Sequence, residues 1–282
     1  MGNGSEKSKP RKNKSKLKPH KSIKHKKKPR NLSLGARAEE KKGKEKVSAK
    51  KAGKTNAGSG SDVSLVSAGP ADRQLRFFLH CFQTSTKSKL SPLELEAYNE
   101  RCMVKLAEGV NQDVENLSDH IKAAFGVTWK EELCEGMELE DGEAGSPALL
   151  VISTSALRSL ELLRGLKPFT KDCRPAKLFA KHLKVEEQVT LLKARVNVAA
   201  GTPSRIKKLI DMEALSLTRL KLVVLDMQRD AKAFSLFTLP QVSTEFWDLY
   251  KSHLEEKVTG GDSRICLYGT IPTKEVNKAF KE

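Results

Sequence analysis

A turn suited to phosphate binding lies at residues 201–205, Gly-Thr-Pro-Ser-Arg, between two apolar runs. Residues 196–200 before it and residues 220–225 after the following helix are apolar enough to form buried strands. Glycine permits a tight turn, Thr202 can cap a helix, and proline suits the first helical position. The free N–H groups of such a helix end attract anions, and Arg205 adds a cation. The turn therefore predicts binding of an anionic backbone, although ordinary α/β domains contain such turns without binding anything.

The elements around this turn form one supersecondary unit. Apolar residues at i, i+3 and i+4 give the helix after the turn an apolar stripe, from which Lys207 and Lys208 point away. The strand that follows ends at a carboxylate, Asp226. Strand, turn, helix and strand together predict a βαβ unit with parallel strands.

Strands and helices alternate regularly through residues 146–282. Further buried strands are predicted over residues 148–152, 177–180 and 264–268, and helices over residues 155–163, 185–193, 244–254 and 274–280. The alternation predicts an α/β fold with a parallel sheet and helices on both faces. In such sheets ligands bind at the carboxyl ends of the strands, where four polar residues fall: Thr154, Thr202, Asp226 and Thr270.

The segment before this alternation is less regular. Residues 74–83 could be a strand or the start of a helix, because so short an apolar run shows no decisive periodicity. Residues 91–94, Ser-Pro-Leu-Glu, form a capping box and predict a helix that Gly109 can end. A second helix is predicted over residues 114–125, and an acidic solvated loop over residues 135–146.

The positive charge of the chain lies in its first 60 residues. Residues 1–60 hold 21 of the 52 Lys and Arg but 4 of the 35 acidic residues, which leaves residues 61–282 electrically balanced. With few large apolar residues, residues 1–70 cannot offset chain entropy, so we predict a disordered tail before a single domain over residues 71–282. Such a tail suits polyanion binding and nuclear import, or it serves only for solubility or targeting.

Several other classes of protein are not expected. No run of 18 apolar residues occurs, so we expect no membrane association. The five cysteines are scattered without a CxxC pair, which favours thiols in a reducing compartment over a disulfide frame or a zinc site. We expect neither a metal nor a cofactor.

Motifs in residues 146–282 resemble, in order, those of the first RecA-like domain of DEAD-box RNA helicases. Residues 150–157, LVISTSAL, resemble the strand and loop of its first RNA-contact motif, with Ser155 in place of an arginine. Residues 202–205, TPSR, resemble its TPGR motif, and Gln188 stands where that family has a glutamine. The resemblance implies a RecA-like fold and RNA contacts at these positions.

The motifs that would bind and hydrolyse a nucleotide are degenerate in this sequence. Residues 224–229, VLDMQR, stand where the helicases have VLDEAD, so that Asp226 is retained but Met227 replaces the catalytic glutamate. Residues 268–272, YGTIP, resemble SATxP with Thr270 kept.

The phosphate-binding loop of a nucleotide triphosphatase is also missing from the sequence. Residues 75–146 contain no GxxxxGK[ST], and the GKT at residues 53–55 lacks the first glycine, since Ser48 stands in its place. Because the sequence ends soon after the SAT-like motif, we expect no second helicase domain. We therefore predict a degenerate RecA-like domain with a helical extension over about residues 90–126, and no enzyme activity.

The combination resembles a eukaryotic family of DEAD-box-like proteins associated with the small-subunit processome. Residues 177–182, KLFAKH, together with Gln188 and residues 201–203, match that family's own pattern. The resemblance implies a role in 18S ribosomal RNA maturation, in the nucleus and nucleolus. It also implies two kinds of partner, which are pre-ribosomal proteins and either ribosomal RNA precursor or small nucleolar RNA.

The residues expected to contact RNA lie around the turn and the end of the first strand: Thr154, Ser155, Thr202, Pro203, Ser204, Arg205, Lys207 and Lys208. Asp226, Met227 and Thr270 belong to the degraded nucleotide motifs. In the alternative without a binding role, Arg205 and the two lysines only form a solvated face of the helix. A functional alternative is a protein-interaction scaffold, for which exposed apolar residues near Met227, Phe234 and Phe237 would be evidence. The sequence leaves the oligomeric state open.

Overall fold

The computed structural model of the 282-residue chain describes residues 1–2, 63–64, 66, 69–134 and 144–280. The predicted disordered tail and most of the predicted acidic loop lie outside these residues. No helix within the described part has both the length and the apolar character needed to cross a bilayer. None of the five cysteines is part of a disulfide in the described part of the chain, and three of them are buried.

The described residues contain short strands and helices in the predicted alternation. The strands are β1 Val63–Ser64, β2 Leu149–Ile152, β3 Ala176–Leu178, β4 Val198–Gly201, β5 Leu222–Asp226, β6 Arg264–Tyr268 and β7 Ile271–Pro272. The helices are α1 Ala71–Thr86, α2 Pro92–Glu96, α3 Leu117–Phe125, α4 Trp129–Leu133, α5 Ala156–Gly165, α6 Val185–Leu191, α7 Pro203–Asp211, α8 Pro240–Leu249, α9 Glu255–Thr259 and α10 Thr273–Lys278. A π-helical turn, Tyr250–Leu254, joins α8 to α9.

Five of the strands form a parallel sheet in the order β3-β4-β2-β5-β6. Each neighbouring pair in this sheet is parallel, so the predicted α/β fold is confirmed. The short β1 and β7 pair with each other in antiparallel fashion. Parallel neighbours place their carboxyl ends at the same edge, which is where the candidate site was expected.

Both faces of the sheet are covered, which explains why its strands are continuous apolar runs. Leu150 and Val223 belong to the core on one face, to which α1 and α6 to α10 contribute. Leu149 and Val224 belong to the core on the other face, to which α3, α4 and α5 contribute. Because successive side chains of a strand point to opposite faces, every position of β2 is buried.

The undecided run at residues 74–83 lies within helix α1. Phe78 and Phe82 are buried against Trp247 and Tyr250 of the α8 region, with ring centroids 5.1 to 5.6 Å apart. This aromatic cluster attaches α1 to one face of the domain. Edge-to-face and tilted aromatic pairs of this kind add about 0.5–1.5 kcal/mol each beyond their buried area.

The helix predicted to run from residue 92 to Gly109 is wrong beyond its first turn. The capping box forms, since Ser91 Oγ accepts from the Glu94 N–H and the Ser91 N–H donates to a Glu94 carboxylate oxygen. However, α2 ends at Glu96, and Leu93 is 77% exposed rather than part of a buried stripe. The chain is extended at Met103, which forms a parallel bridge with Ile265 beside β6.

The predicted helical extension over about residues 90–126 is therefore only partly helical and is not an appendage. Helix α3 starts at Leu117 rather than residue 114, and it ends at Phe125 with Gly126 (φ 61°) as its C-cap, as predicted. Leu117 and Ile121 are fully buried in the core of the sheet. Pairing with β6 and packing under the sheet override the local helical pattern of this segment.

Candidate nucleic-acid interface

The predicted site residues gather at the carboxyl edge of the sheet. Ile152 pairs with Gly201 on one side and with Leu225 on the other, and Asp226 pairs with Tyr268. The residues that follow these strand ends are therefore neighbours. Their accessibility differs: Ser155, Ser204, Lys208 and Thr270 are exposed, Thr154, Thr202, Arg205 and Lys207 are half-buried, and Pro203, Asp226 and Met227 are buried.

The turn between β4 and α7 forms as predicted, with one difference. Pro203 occupies the first helical position and Thr202 the N-cap, but the Thr202 side chain accepts no capping hydrogen bond. The Thr202 backbone N–H donates instead to Leu178 O at 3.0 Å. A Cβ atom added at Gly201 would lie 2.0 Å from that same Leu178 oxygen. Glycine is thus required here by close packing against β3, independently of any phosphate.

Gln188 and Arg205 form a single hydrogen-bonded network rather than two separate motif positions. The buried Gln188 Nε2 donates to Lys177 O at 2.6 Å and to Phe179 O at 3.0 Å. Gln188 Oε1 accepts from Arg205 Nη1 at 2.6 Å, and Leu183 O accepts from the same nitrogen at 3.3 Å. The network holds α6 and α7 against the end of β3. Among the described residues, Arg205 Nε and Nη2 have no hydrogen-bond partner and can donate to a ligand.

This network contradicts the expectation that Arg205 is only a solvated surface residue. Arg205→Ala leaves the buried Gln188 oxygen without a donor, so we expect it to lower the free energy of unfolding by about 1–3 kcal/mol. Lys208→Ala, on the exposed side of the same helix, is the matched control and should stay within about 0.5 kcal/mol. Urea denaturation measures both. Equal stability of the two variants would contradict the structural role of Arg205.

Lys207 has local carboxylate partners. Its Nζ lies 2.9 Å from Asp211 and 3.7 Å from Asp248. The hydrogen bond to Asp211 raises the pKa of Lys207 above its usual value. The positive charge of Lys207 is therefore offset by carboxylates within the chain, whereas the Lys208 side chain is exposed to solvent.

The sequence reasoning missed Arg158, which lies at the centre of this edge. Asp226 is fully buried at the end of β5, and its two carboxylate oxygens accept from Arg158 Nε at 2.9 Å and Nη2 at 3.0 Å. Such a bidentate fork is the strongest geometry of an arginine–carboxylate pair. Arg158 also contacts Glu161 at 3.2 Å, on the solvent side. Local spacing carried no signal for this pair, because only the adjacency of β2 and β5 in the sheet brings the two residues together.

Local structure positions Arg158 for this contact. Ser155 Oγ accepts from the Arg158 backbone N–H at 3.3 Å and so caps the first turn of α5. Ser153 and Ser159 bond to each other through their hydroxyls at 2.8 Å beneath that turn. Burial raises the pKa of the Asp226 carboxyl, and the hydrogen bonds from Arg158 oppose that effect.

Met227 points away from the edge. It is 2% exposed and belongs to the core on one face of the sheet. Phe237 is also buried, and only Phe234, at 36%, is exposed among the three residues named for the scaffold alternative. The exposed apolar patch near Met227, Phe234 and Phe237 that would have favoured the scaffold alternative is therefore not found among the described residues.

The end of β6 is covered by an upstream loop. Tyr268 Oη donates to Asp113 O at 2.6 Å, and the Gly269 N–H donates to Gln112 Oε1 at 2.9 Å. Gly269 has a φ of 114°, which favours glycine. Thr270 itself remains exposed beside this covered strand end.

Comparison with solved structures finds similar chains of low sequence identity. One is the crystal structure of a DEAD box protein from the hyperthermophile Methanococcus jannaschii, with 16% identity, a TM-score of 0.35 and coverage of 70% of this chain and 52% of that chain. Another is S. cerevisiae dbp5 l327v bound to nup159, gle1 h337r, ip6 and adp, with 17% identity, a TM-score of 0.36 and coverage of 73% and 48%.

Curated relatives are more similar in sequence. Protein CMSS1 of Xenopus laevis is 32% identical over 195 residues, which cover 67% of this chain and 70% of the relative. Protein CMSS1 of Homo sapiens is 35% identical over 164 residues, which cover 56% of this chain and 54% of the relative. Protein CMS1 of Chaetomium thermophilum is 46% identical over 84 residues, or 29% of this chain and 34% of the relative.

A family model described as "CMS1: U3-containing 90S pre-ribosomal complex subunit" matches residues 5–268. This match covers the turn at residues 201–205, the Arg158–Asp226 pair and the strand ends around them. With the relatives above, it confirms the predicted resemblance to a pre-ribosomal family. The chain therefore belongs to the CMS1 family of U3-containing 90S pre-ribosomal complex subunits.

Proposed function

We propose that this protein is a non-catalytic, RNA-associated factor for maturation of 18S ribosomal RNA, acting in the nucleolus. Its family supports the coarser part of this proposal, namely ribosome biogenesis with pre-ribosomal proteins as partners. The RNA partner in the proposal is ribosomal RNA precursor or the associated small nucleolar RNA. The basic residues 1–60 supply affinity, and the folded domain supplies position.

The observation that carries the non-catalytic part is the Arg158–Asp226 pair. Phosphoryl transfer in helicase-like domains needs a divalent cation next to the phosphates and a residue that orients the attacking water. Here both oxygens of Asp226 are occupied by the Arg158 guanidinium, which already supplies the positive charge. The neighbouring position holds Met227, whose thioether is buried in the core. The edge therefore offers a nucleotide neither a metal ligand nor a base at these positions.

The same edge keeps groups that suit an RNA backbone. Ser155, Ser204 and Thr270 expose hydroxyl groups, which can donate to phosphates and 2′-hydroxyls. Helix α7 directs its first N–H groups toward the same side, and Arg205 retains donors on Nε and Nη2. Each contact is weak alone, and together Ser155, Ser204, Arg205 and Thr270 define a surface, which we call the strand-end surface, that fixes the register of a bound strand.

A protein-interaction scaffold is the second candidate, and one observation favours it. A cavity of about 650 Å³ beside the edge strand β3 is lined mostly by apolar groups, including Leu183, Leu192 and the 58% exposed Leu191. We prefer the RNA-associated function to the scaffold function because the chain carries a net charge of +17, which favours a polyanionic partner.

Ser204→Glu tests contact between the strand-end surface and RNA. Ser204 is exposed in the first turn of α7, where a carboxylate is favourable for the helix, so the variant should keep its stability. The new charge repels phosphate, and we expect RNA binding by the full chain to weaken several-fold at roughly 0.3 M salt, where screening limits the tail's contribution.

Ser204→Gln is the matched control, because it changes size without adding charge. It should bind RNA as the natural chain does. If Ser204→Glu also binds normally, the folded domain does not touch RNA at this edge, and the scaffold function takes its place.

A further inference from the structure

Helix α1 carries a stripe of basic and polar residues that the strand-end surface does not use. Arg73, Arg76, His80 and Gln83 follow one another at three- and four-residue spacing, and Lys87 continues the stripe at the helix C-cap. Residues with this spacing lie on one side of a helix. From residue 73 to residue 87 the stripe is about 21 Å long at 1.5 Å per residue.

The opposite side of α1 is fixed to the domain, so the basic stripe is presented rigidly. Phe77, Phe78 and Phe82 are at most 2% exposed and pack in the core. Arg73, Arg76 and Lys87 are exposed to solvent, whereas His80 and Gln83 are half-buried.

Two adjoining cavities run along this stripe and share His80 and Gln83. The first has a volume of about 320 Å³ and is lined by Arg76, Leu79, His80, Gln83, Ala279 and Phe280. The second has a volume of about 350 Å³ and is lined by His80, Gln83, Thr84, Lys87, Ser88 and Lys89. None of these lining residues is acidic. The cavities form one groove, which we call the α1 groove.

An aromatic ring lies at one end of the α1 groove. Phe280 follows α10 and is half-buried, and the Arg73 guanidinium carbon lies 5.1 Å from the centroid of its ring. Glu275 of the same helix is paired with Arg229 and does not line the groove. Cations spaced along a groove with an aromatic ring are the combination that binds single-stranded nucleic acid, through phosphates and stacked bases.

We propose that the α1 groove binds a single-stranded segment of RNA. Arg73, Arg76, Lys87 and Lys89 contact phosphates along the groove, and Phe280 provides a surface for a base. The inference rests on the proposed association with RNA, but the groove shares no residue with the strand-end surface. An acidic peptide fits less well, because the cations are spread over about 21 Å and include two arginines, whose forked donors suit phosphates.

The position of the groove in the chain adds to this argument. Arg73 comes shortly after the basic residues 1–60 in the sequence. RNA held by those residues is thereby kept at a high local concentration next to α1. A groove of modest intrinsic affinity can then select single-stranded segments of RNA that the basic residues hold without sequence preference.

The test is a triple substitution in the full chain, Arg73→Gln, Arg76→Gln and Lys87→Gln. For a single-stranded RNA oligonucleotide we expect the log–log salt slope to fall by about 2, at about 0.7 per lost phosphate contact, and the affinity to fall about tenfold or more. The control is Arg164→Gln, Lys171→Gln and Lys221→Gln, three exposed cations elsewhere with the same loss of charge. It should change the slope little. Denaturation curves establish that both triple variants are folded.

Two further variants report on the groove without a change of charge. Phe280→Ala should weaken binding about fivefold or more at an unaltered salt slope, because it removes the ring on which a base stacks and leaves every cation in place. A photo-reactive phenylalanine analogue at position 84 should crosslink to the RNA, and the same analogue at the exposed position 190 of α6 should not.

Each outcome decides the proposal. If the two triple variants behave alike, or if position 84 crosslinks only to protein, the α1 groove does not bind RNA, and the proposed function stands without it. If the natural full chain binds no RNA, the proposed RNA association and this inference both fail.

Discussion

Replacing Arg158 by alanine is expected to destabilise the fold by about 3–5 kcal/mol, because it leaves the buried Asp226 carboxylate without its partner. Asp226 is fully buried, and both of its oxygens accept from Arg158. The free energy of unfolding from chemical denaturation measures the loss. A change below 1 kcal/mol would mean that water or another group replaces the guanidinium.

Two controls distinguish the contribution of the buried pair to stability from that of the neighbouring contacts. Glu161→Gln removes only the solvent-side contact of Arg158 at 3.2 Å, so it should change stability by about 0.5 kcal/mol or less. The double variant Arg158→Met with Asp226→Leu removes both charges and should recover most of the stability, since a buried pair is often replaceable by apolar residues.

Calorimetry should detect no Mg-ATP binding to either the natural chain or the Arg158 variants, because neither contains a phosphate-binding loop. Micromolar binding to the natural chain would overturn the non-catalytic proposal.

Removing residues 1–60 is expected to lower RNA affinity by at least about a hundredfold and to flatten its salt dependence. These residues hold 21 Lys and Arg against 4 acidic residues and account for the whole net charge of +17. Release of counterions from RNA scales with the number of phosphates neutralised, so the affinity and the salt slope should fall together.

The matched control keeps the length of the chain and removes only its charge. A variant with the Lys and Arg of residues 1–60 replaced by Gln should bind as weakly as the truncated chain. If the truncated chain retains the natural affinity and slope, the folded domain is the main RNA-binding part. If the glutamine variant binds much more tightly than the truncated chain, groups other than charge contribute.

The sheet and the position of its carboxyl edge follow from local features of the sequence. Runs such as residues 220–225 are apolar throughout because both sheet faces are covered, and they predict strands without knowledge of their neighbours. The Gly-Thr-Pro turn marks the start of α7 correctly, since proline at the first helical position needs no tertiary partner.

Side-chain pairs between elements that are distant in the sequence could not be predicted. Arg158 and Asp226 are 68 residues apart, and only the adjacency of β2 and β5 brings them together. The contact of Arg205 with Gln188 likewise depends on how α6 and α7 meet at β3. Local spacing singled out Asp226 and Arg205 as candidate site residues, but it could not show that each has a hydrogen-bond partner within the chain.

The prediction of a helix beyond residue 96 was wrong for a related reason. A capping box and scattered leucines predict a helix, but Met103 and Val104 form backbone contacts with Ile265. Such pairing fixes an extended conformation whatever the local propensity. The signal for it lies more than 150 residues away along the chain.

The closure of β6 by the upstream loop also sets when this protein can finish folding during its synthesis. Gly269 bonds to Gln112 across 157 residues, Tyr268 bonds to Asp113 across 155, and Tyr98 bonds to Glu255 across 157. These contacts cannot form until residues 255–269 have left the ribosome exit tunnel. Until then β5 lacks its outer neighbour, and the apolar residues on both of its faces are incompletely covered. Until β6 is available, the nascent chain therefore exposes apolar surface and an unpaired strand edge, which are the features that make folding intermediates prone to aggregate.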